Sequence, residues 1–175
     1  MPRQVGLLRG INVGGHNKIG MASLRELLGD LGFDNVRTHL QSGNIVFTVD
    51  TSPDESARAV EAGIADRFGN AVPVVVRTRD ELARTVDDNP LREVATDPAK
   101  LLVIFLSGAP DRQRVESVDP GSEVFSLGTR EIHLWCPDGV RASRLSAVFW
   151  EKHLGLTATA RNWNTVTKLL ALADA

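Results

Sequence analysis

Two stretches of alternating character, NVRTHLQ at 35–41 and NIVFTV at 44–49, stand back to back with only Ser42 and Gly43 between them. In the first, Val36, Thr38 and Leu40 alternate with Arg37, His39 and Gln41; in the second, Ile45, Phe47 and Val49 alternate with Asn44, Val46 and Thr48. Period-two alternation across a short glycine turn predicts an antiparallel hairpin. The flanking segments are helical. MASLRELLGDLG (21–32) puts Leu24, Leu27, Leu28 and Leu31 on one stripe and ends at Gly32, and a second helix runs from Pro53 to about Phe68 before Gly69 and Asn70. Outside these lie QVGLLR (4–9) and VPVVVRT (72–78), both of strand character. The order is β-α-β-β-α-β, the split βαβ order of a ferredoxin-like unit, with helices on one face of a four-stranded antiparallel sheet.

The same order then returns. Residues 79–98 start as a helix and are broken at Asn89-Pro90 and Asp97-Pro98, which makes them a connector. Beyond it come a strand at 100–106, a short helix from Pro110, strands at 122–127 and 130–136, a helix at about 142–154, a short strand near 157–160 and a last helix at about 163–173. The expectation is an α+β fold of two ferredoxin-like halves with antiparallel sheets, residues 1–88 and 99–175, the second with an extra C-terminal helix. The halves share a pattern and no obvious identity. LLVIFL at 101–106 is apolar on both sides, as a strand is when both faces are covered. The halves are therefore expected to pack together, with Val46 and Val75 at least partly covered.

Charge narrows the function classes. The 175 residues carry a net charge of -2 and a pI near 6.1, without the basic excess that drives nonspecific nucleic-acid binding. RNA binding on the open sheet needs stacked aromatics, but the chain has no Tyr, and Phe47, the aromatic of strand 3, falls on the helix-covered face. Nucleic acid is thus not the expected partner. Apolar runs fall far short of the roughly 20 residues of a membrane span. Arg3 and Arg9 interrupt the N-terminal apolar stretch, and the single Cys136 has no internal disulfide partner, so a cytoplasmic location is expected. The oligomeric state stays open.

LLRGINVGGHNKIGM (7–21) is the stretch richest in chemistry. Gly10 and Gly15 fit the glycines of a P-loop, yet His16 and Asn17 stand where Lys and Ser/Thr are required, and Lys18 comes two residues late. A glycine-rich turn can still present successive N–H groups to an anion. In a split βαβ the third strand lies antiparallel beside the first, so the end of strand 1 meets the start of strand 3. That places Arg9, Gly10, Asn12, Gly14, Gly15 and Lys18 on one rim with Gln41, Ser42, Gly43 and Asn44 as candidate ligand-binding residues. The alternative is that the glycines serve turn geometry and the polar side chains cap loops. Arg9 also falls on the face of Val5 and Leu7, where a buried ion pair is an alternative. At 159–172, TARNWNTVTKLLAL offers Arg161 and a helix N-terminus as a second anion-favouring site; alternatively Asn162 caps the helix and Trp163 packs on the core.

Common hydrolase signatures are absent, and the four histidines lack ligand spacing, so no metal site is assigned; His16 and His39 on the shared rim read as exposed loop and strand side chains. Cys136 ends a strand and reads as packing. No catalytic residue or cofactor is assigned.

The stretches LLRGINVGGHNKIGM, LQSGNIVF and TARNWNTVTKL resemble the signatures of the bacterial domain-of-unknown-function family numbered 1697, DUF 1697, from the first strand to the last helix. The resemblance implies two ferredoxin-like halves and no established activity. The chain departs from the family pattern at His39, where Tyr is usual. The function expected from the residues is binding of a small anionic or phosphorylated ligand at the glycine-rich rim; the alternatives are a nucleic-acid binding module and a structural or interaction protein without a ligand.

Overall fold

A computed structural model describes residues 2–175. The elements are β1 (Arg3–Leu8), α1 (Met21–Asp30), β2 (Asp34–His39), β3 (Asn44–Thr48), α2 (Pro53–Phe68), β4 (Val74–Thr78) and α3 (Arg79–Asp87), followed by β5 (Leu101–Leu106), α4 (Arg112–Glu116), β6 (Val124–Leu127), β7 (Glu131–Trp135), α5 (Ala147–Leu154), β8 (Ala158–Asn162) and α6 (Trp163–Asp174). They form two four-stranded antiparallel sheets, ordered β2-β3-β1-β4 and β6-β7-β5-β8. The fold is α+β, two ferredoxin-like halves, and each half reads βαββαβα: α3 trails β4 as α6 trails β8. By compactness one unit spans the chain to Ala83 and adds Leu169–Ala175, and the other is Arg84–Lys168.

In the first unit, β1 pairs with β3 from Arg3↔Thr48 to Leu7↔Asn44 and with β4 through Val5↔Arg77. Alternation then sends Ile45, Phe47, Val74 and Val76 to the helix side, in one cluster with Leu24 and Leu28 of α1 and Val60 and Ile64 of α2. Phe33 stacks on Phe47 with ring centroids 4.6 Å apart. Gly6 sits opposite Ile45, and a Cβ there would lie 2.7 Å from Ile45 Cγ1, so the larger partner fills the space. On the other face Val46 and Val75 are buried. α2 starts and stops where its residues dictate: Ser52 Oγ accepts the Glu55 N–H, Pro53 opens the first turn, and Gly69 closes it at φ 72°.

The second unit builds its core from Ile104, Leu106, Ile132 and Leu134 around Trp150. The Trp150 indole meets the rings of Phe125 and Phe149 edge to face, each with centroids 5.2 Å away. His133 is buried, and its Nε2 pairs with the Thr85 carbonyl at 3.1 Å. Burial holds the imidazole below its ordinary pKa of 6.5.

Several boundaries differ from the sequence expectation by a few residues, and two of the differences have a local cause. The helix expected at 142–154 is a single 3-10 turn at Val140–Ala142 and then α5 from Ala147, because Ser143 is extended and its Oγ accepts the Leu145 N–H at 3.0 Å. The strand expected at 35–41 ends at His39: the Asn44 amide donates to the His39 carbonyl at 2.7 Å, and Leu40 takes a left-handed φ of 63°. No helix among the described residues is long and apolar enough to cross a membrane.

Two stability experiments follow from this packing. Phe47→Ala removes a fully buried, stacked ring and is expected to lower unfolding free energy by about 3–5 kcal/mol in urea denaturation. Burial makes His133 harder to protonate in the fold than in the unfolded chain, so stability is expected to fall as pH drops below about 6.5. His133→Gln should flatten that slope below pH 6.5.

Candidate functional site

The glycine-rich stretch folds as a small hairpin. The His16 N–H donates to the Val13 carbonyl at 2.9 Å, and Gly14 and Gly15 between them have φ of 57° and 79°. Two consecutive left-handed residues define a type I′ turn, for which glycine is favoured. The ladder continues with Asn12 N–H to Asn17 O at 3.2 Å, and both asparagines are themselves left-handed, at φ 54° and 49°.

Asn12 holds this hairpin in place. Its Oδ1 accepts the Ile19 N–H at 2.9 Å, and its Nδ2 donates to Ile19 O at 3.0 Å and to Gln41 O at 2.7 Å. One side chain thus closes the loop on itself and ties it to the β2–β3 turn. Asn17 Nδ2 adds a bond to Gly10 O at 3.2 Å. On the other turn Asn44 Nδ2 donates to His39 O and to Ser42 Oγ, and the Leu8 N–H donates to Gly43 O at 2.9 Å.

Between the hairpin and the β2–β3 turn lies a cleft of about 410 Å³ lined by Asn12, Gly15, Lys18, Ile19, Gly20 and Gln41. Lys18 is exposed and makes no hydrogen bond or ion pair among the described residues. Gly20 is the residue before α1, which starts without a side-chain cap and without an acidic residue in its first turn. The first N–H groups of that helix therefore lack side-chain partners at the cleft edge. The N–H groups of Gly15, Lys18 and Gly20 likewise meet no acceptor among the described residues.

Of the residues singled out in the sequence, Asn12, Gly15, Lys18 and Gln41 share this cleft. Gly10 and Gly14 serve the turns beside it. Gly43 lies beneath, at φ 89°, where a Cβ would stand 2.7 Å from Ile11 Cδ1 and 2.8 Å from Leu8 Cβ. Ser42 and Asn44 engage each other. Arg9 is half-buried, and its backbone N–H donates to Pro73 O at 3.0 Å. Arg161 belongs to the second unit, buried on β8, where it donates to Thr159 Oγ1 at 2.7 Å and Ala160 O at 2.9 Å; burial pulls its pKa down to about 10. Asn162 caps α6, its Oδ1 accepting the Thr165 N–H at 2.9 Å. Ile19 and Gly20 are lining residues that the pattern did not single out; the signal for them was an α1 start lacking Ser, Thr, Asp or Asn at the cap.

Other candidates lack chemistry. Burial and the neighbouring Glu123 carboxylate push the Cys136 thiol up to about 12, far from a thiolate at neutral pH. No group of three or more His, Cys, Asp or Glu side chains among the described residues is placed to hold a metal ion.

Two βαββαβα halves, with a hairpin-walled cleft in the first, define a ferredoxin-like protein of two halves. The chain belongs to the family described as proteins of unknown function DUF1697, whose model matches residues 1–133 and so takes in the whole cleft. Its structure is similar to that of conserved bacterial protein SP0830 from Streptococcus pneumoniae, with a TM-score of 0.80 and 26% identity over 98% of each chain. No curated protein matches the sequence.

The two glycine types are separable by mutation. Gly14→Asn suits the I′ turn and should change stability by less than about 0.5 kcal/mol. Gly43→Ala meets both a left-handed backbone and overlap with Ile11 and Leu8, and a loss of about 2–4 kcal/mol is expected in urea denaturation.

Proposed function

We propose that the cleft beside Lys18 binds a small anionic ligand, a phosphate or phosphorylated metabolite. The observation that carries this reading is the coincidence of several donors around one cleft: the ammonium group of Lys18, the backbone N–H groups of Gly15 and Gly20, and the uncapped start of α1. A helix start favours negative charge through its unsatisfied N–H groups and its dipole, and glycine lets a ligand approach the backbone closely. A volume of about 410 Å³ accommodates a small molecule. The type I′ turn explains Gly14 and Gly15 as geometry, so the attraction is assigned to Lys18 and the helix start rather than to a P-loop cradle. A cytoplasmic setting, where thiols stay reduced, suits the buried free Cys136.

The test is a thermal-shift titration with inorganic phosphate and a panel of sugar phosphates. Lys18→Ala is expected to match the parent without ligand, within about 0.5 kcal/mol, because the side chain is exposed. It should then lose most of the upshift that phosphate gives the parent, and that upshift should shrink with added salt. Equal shifts in both proteins, or none in either across the panel, would refute the reading.

A further inference from the structure

We propose that the second unit holds a separate site for a small planar aromatic anion, stacked on Trp163 and held by Arg92. The site is a cleft of about 320 Å³. Val86, Pro98 and Leu101 give it apolar walls, Trp163 forms one side, and Asn89 and Arg92 are its polar side chains. That mixture, mostly apolar with a few directed polar groups, is the usual make-up of a small-molecule pocket, and the volume is at the small end of the range.

Trp163 is held as a wall rather than as core. It opens α6 on the same stripe as Val166 and Leu169, which are fully buried, yet it is only partly buried itself. Its place is set from both sides. Thr167 Oγ1 donates to the Trp163 carbonyl at 3.1 Å, Asn162 caps the turn, and the His133 ring stands with its centroid 6.1 Å from the indole. A fixed indole at a cleft wall offers a flat, polarisable face on which any planar ring stacks.

The polar groups select the charge of the occupant. Residues 88–97 contain neither helix nor strand, but buried Leu91 anchors them, and Arg92 Nη2 donates to Asp87 O at 2.5 Å. That bond uses one of the five guanidinium donors. Asn89 spends its Oδ1 on the Leu91 N–H at 3.0 Å, so its NH₂ is what remains for a ligand. Both side chains therefore offer donors, and the matching occupant carries acceptors: an aromatic carboxylate or a nucleoside monophosphate.

The experiment uses the full chain carrying Lys18→Ala, so that the cleft of the first unit does not contribute. AMP, benzoate, adenosine and ribose 5-phosphate are titrated at millimolar concentrations, with tryptophan emission and melting temperature as readouts. AMP and benzoate are expected to quench emission saturably and raise the melting temperature, adenosine to bind more weakly, and ribose 5-phosphate, which has no ring, to leave emission unchanged. Arg92→Gln, at an exposed position, should weaken AMP roughly tenfold and leave adenosine unaffected. Trp163→Leu should abolish the quench. No response to either AMP or benzoate overturns the proposal, as does parental AMP affinity in Arg92→Gln, an outcome that holds even if Trp163→Leu fails to fold.

Discussion

Each unit depends on a central ladder, β1 against β3 in the first and β5 against β7 in the second. These strands are distant in sequence, so the pairing has to overcome loop closure before it stabilises anything. It then does several things at once. It sets the register that puts Ile45 and Phe47 on the helix side, it leaves room at Gly6 for the Ile45 side chain, and it brings the loop leaving β1 next to the turn entering β3. The cleft beside Lys18 exists because of that last consequence. A one-residue slip would turn Phe47 away from Phe33 and move Gly6 from opposite Ile45.

The duplication extends further than six elements. Arg77 pairs with Val5 on β1, and Arg161 pairs with Val103 on β5, the third residue of the corresponding strand. The residue after each arginine caps the helix that trails its sheet, Thr78 Oγ1 accepting the Glu81 N–H and Asn162 Oδ1 the Thr165 N–H. A buried guanidinium is costly unless hydrogen-bonded. Both arginines bond main-chain oxygen of their own strand, Val76 O at 3.3 Å for Arg77 and Ala160 O at 2.9 Å for Arg161. The fourth strand of each sheet is secured similarly: Glu61 of α2 and Glu151 of α5 each accept the N–H of the residue that opens it, Val74 and Ala158.

In the glycine-rich loop, turn geometry and the donors of the proposed site share one stretch. Gly14 and Gly15 are favoured by a type I′ turn, Gly43 is required by close packing, and Asn12 by three hydrogen bonds that hold the two loops together. What those bonds leave over is Lys18 and a row of N–H groups near an uncapped helix start. Sites placed on loops work when a rigid scaffold positions them, and here Asn12 supplies the rigidity.

The order of elements, the type of almost every one, and the limits of α2 were legible in the residues alone, because period-two and period-3.6 patterns, Ser52-Pro53 and Gly69 are local signals. The juxtaposition of residues 10–18 with 41–44 was legible too, since it follows from strand order. The tertiary structure decided the rest. Leu40 leaves strand geometry because Asn44 claims the His39 carbonyl, and α5 starts late because the Ser143 hydroxyl claims the Leu145 N–H; both are competitions between side chain and backbone that periodicity does not record. Trp163 fits the apolar stripe of its helix as well as Val166 does, but burial depends on what packs opposite, and at the first turn of α6 that is a cleft walled by the connector. The sequence by itself determined which residues alternate and where the chain turns, because those are properties of neighbours along it. Which polar groups are spent on the fold and which are left over was decided only by tertiary contacts, because hydrogen-bond partners such as Asn12 and Gln41 are distant in the chain.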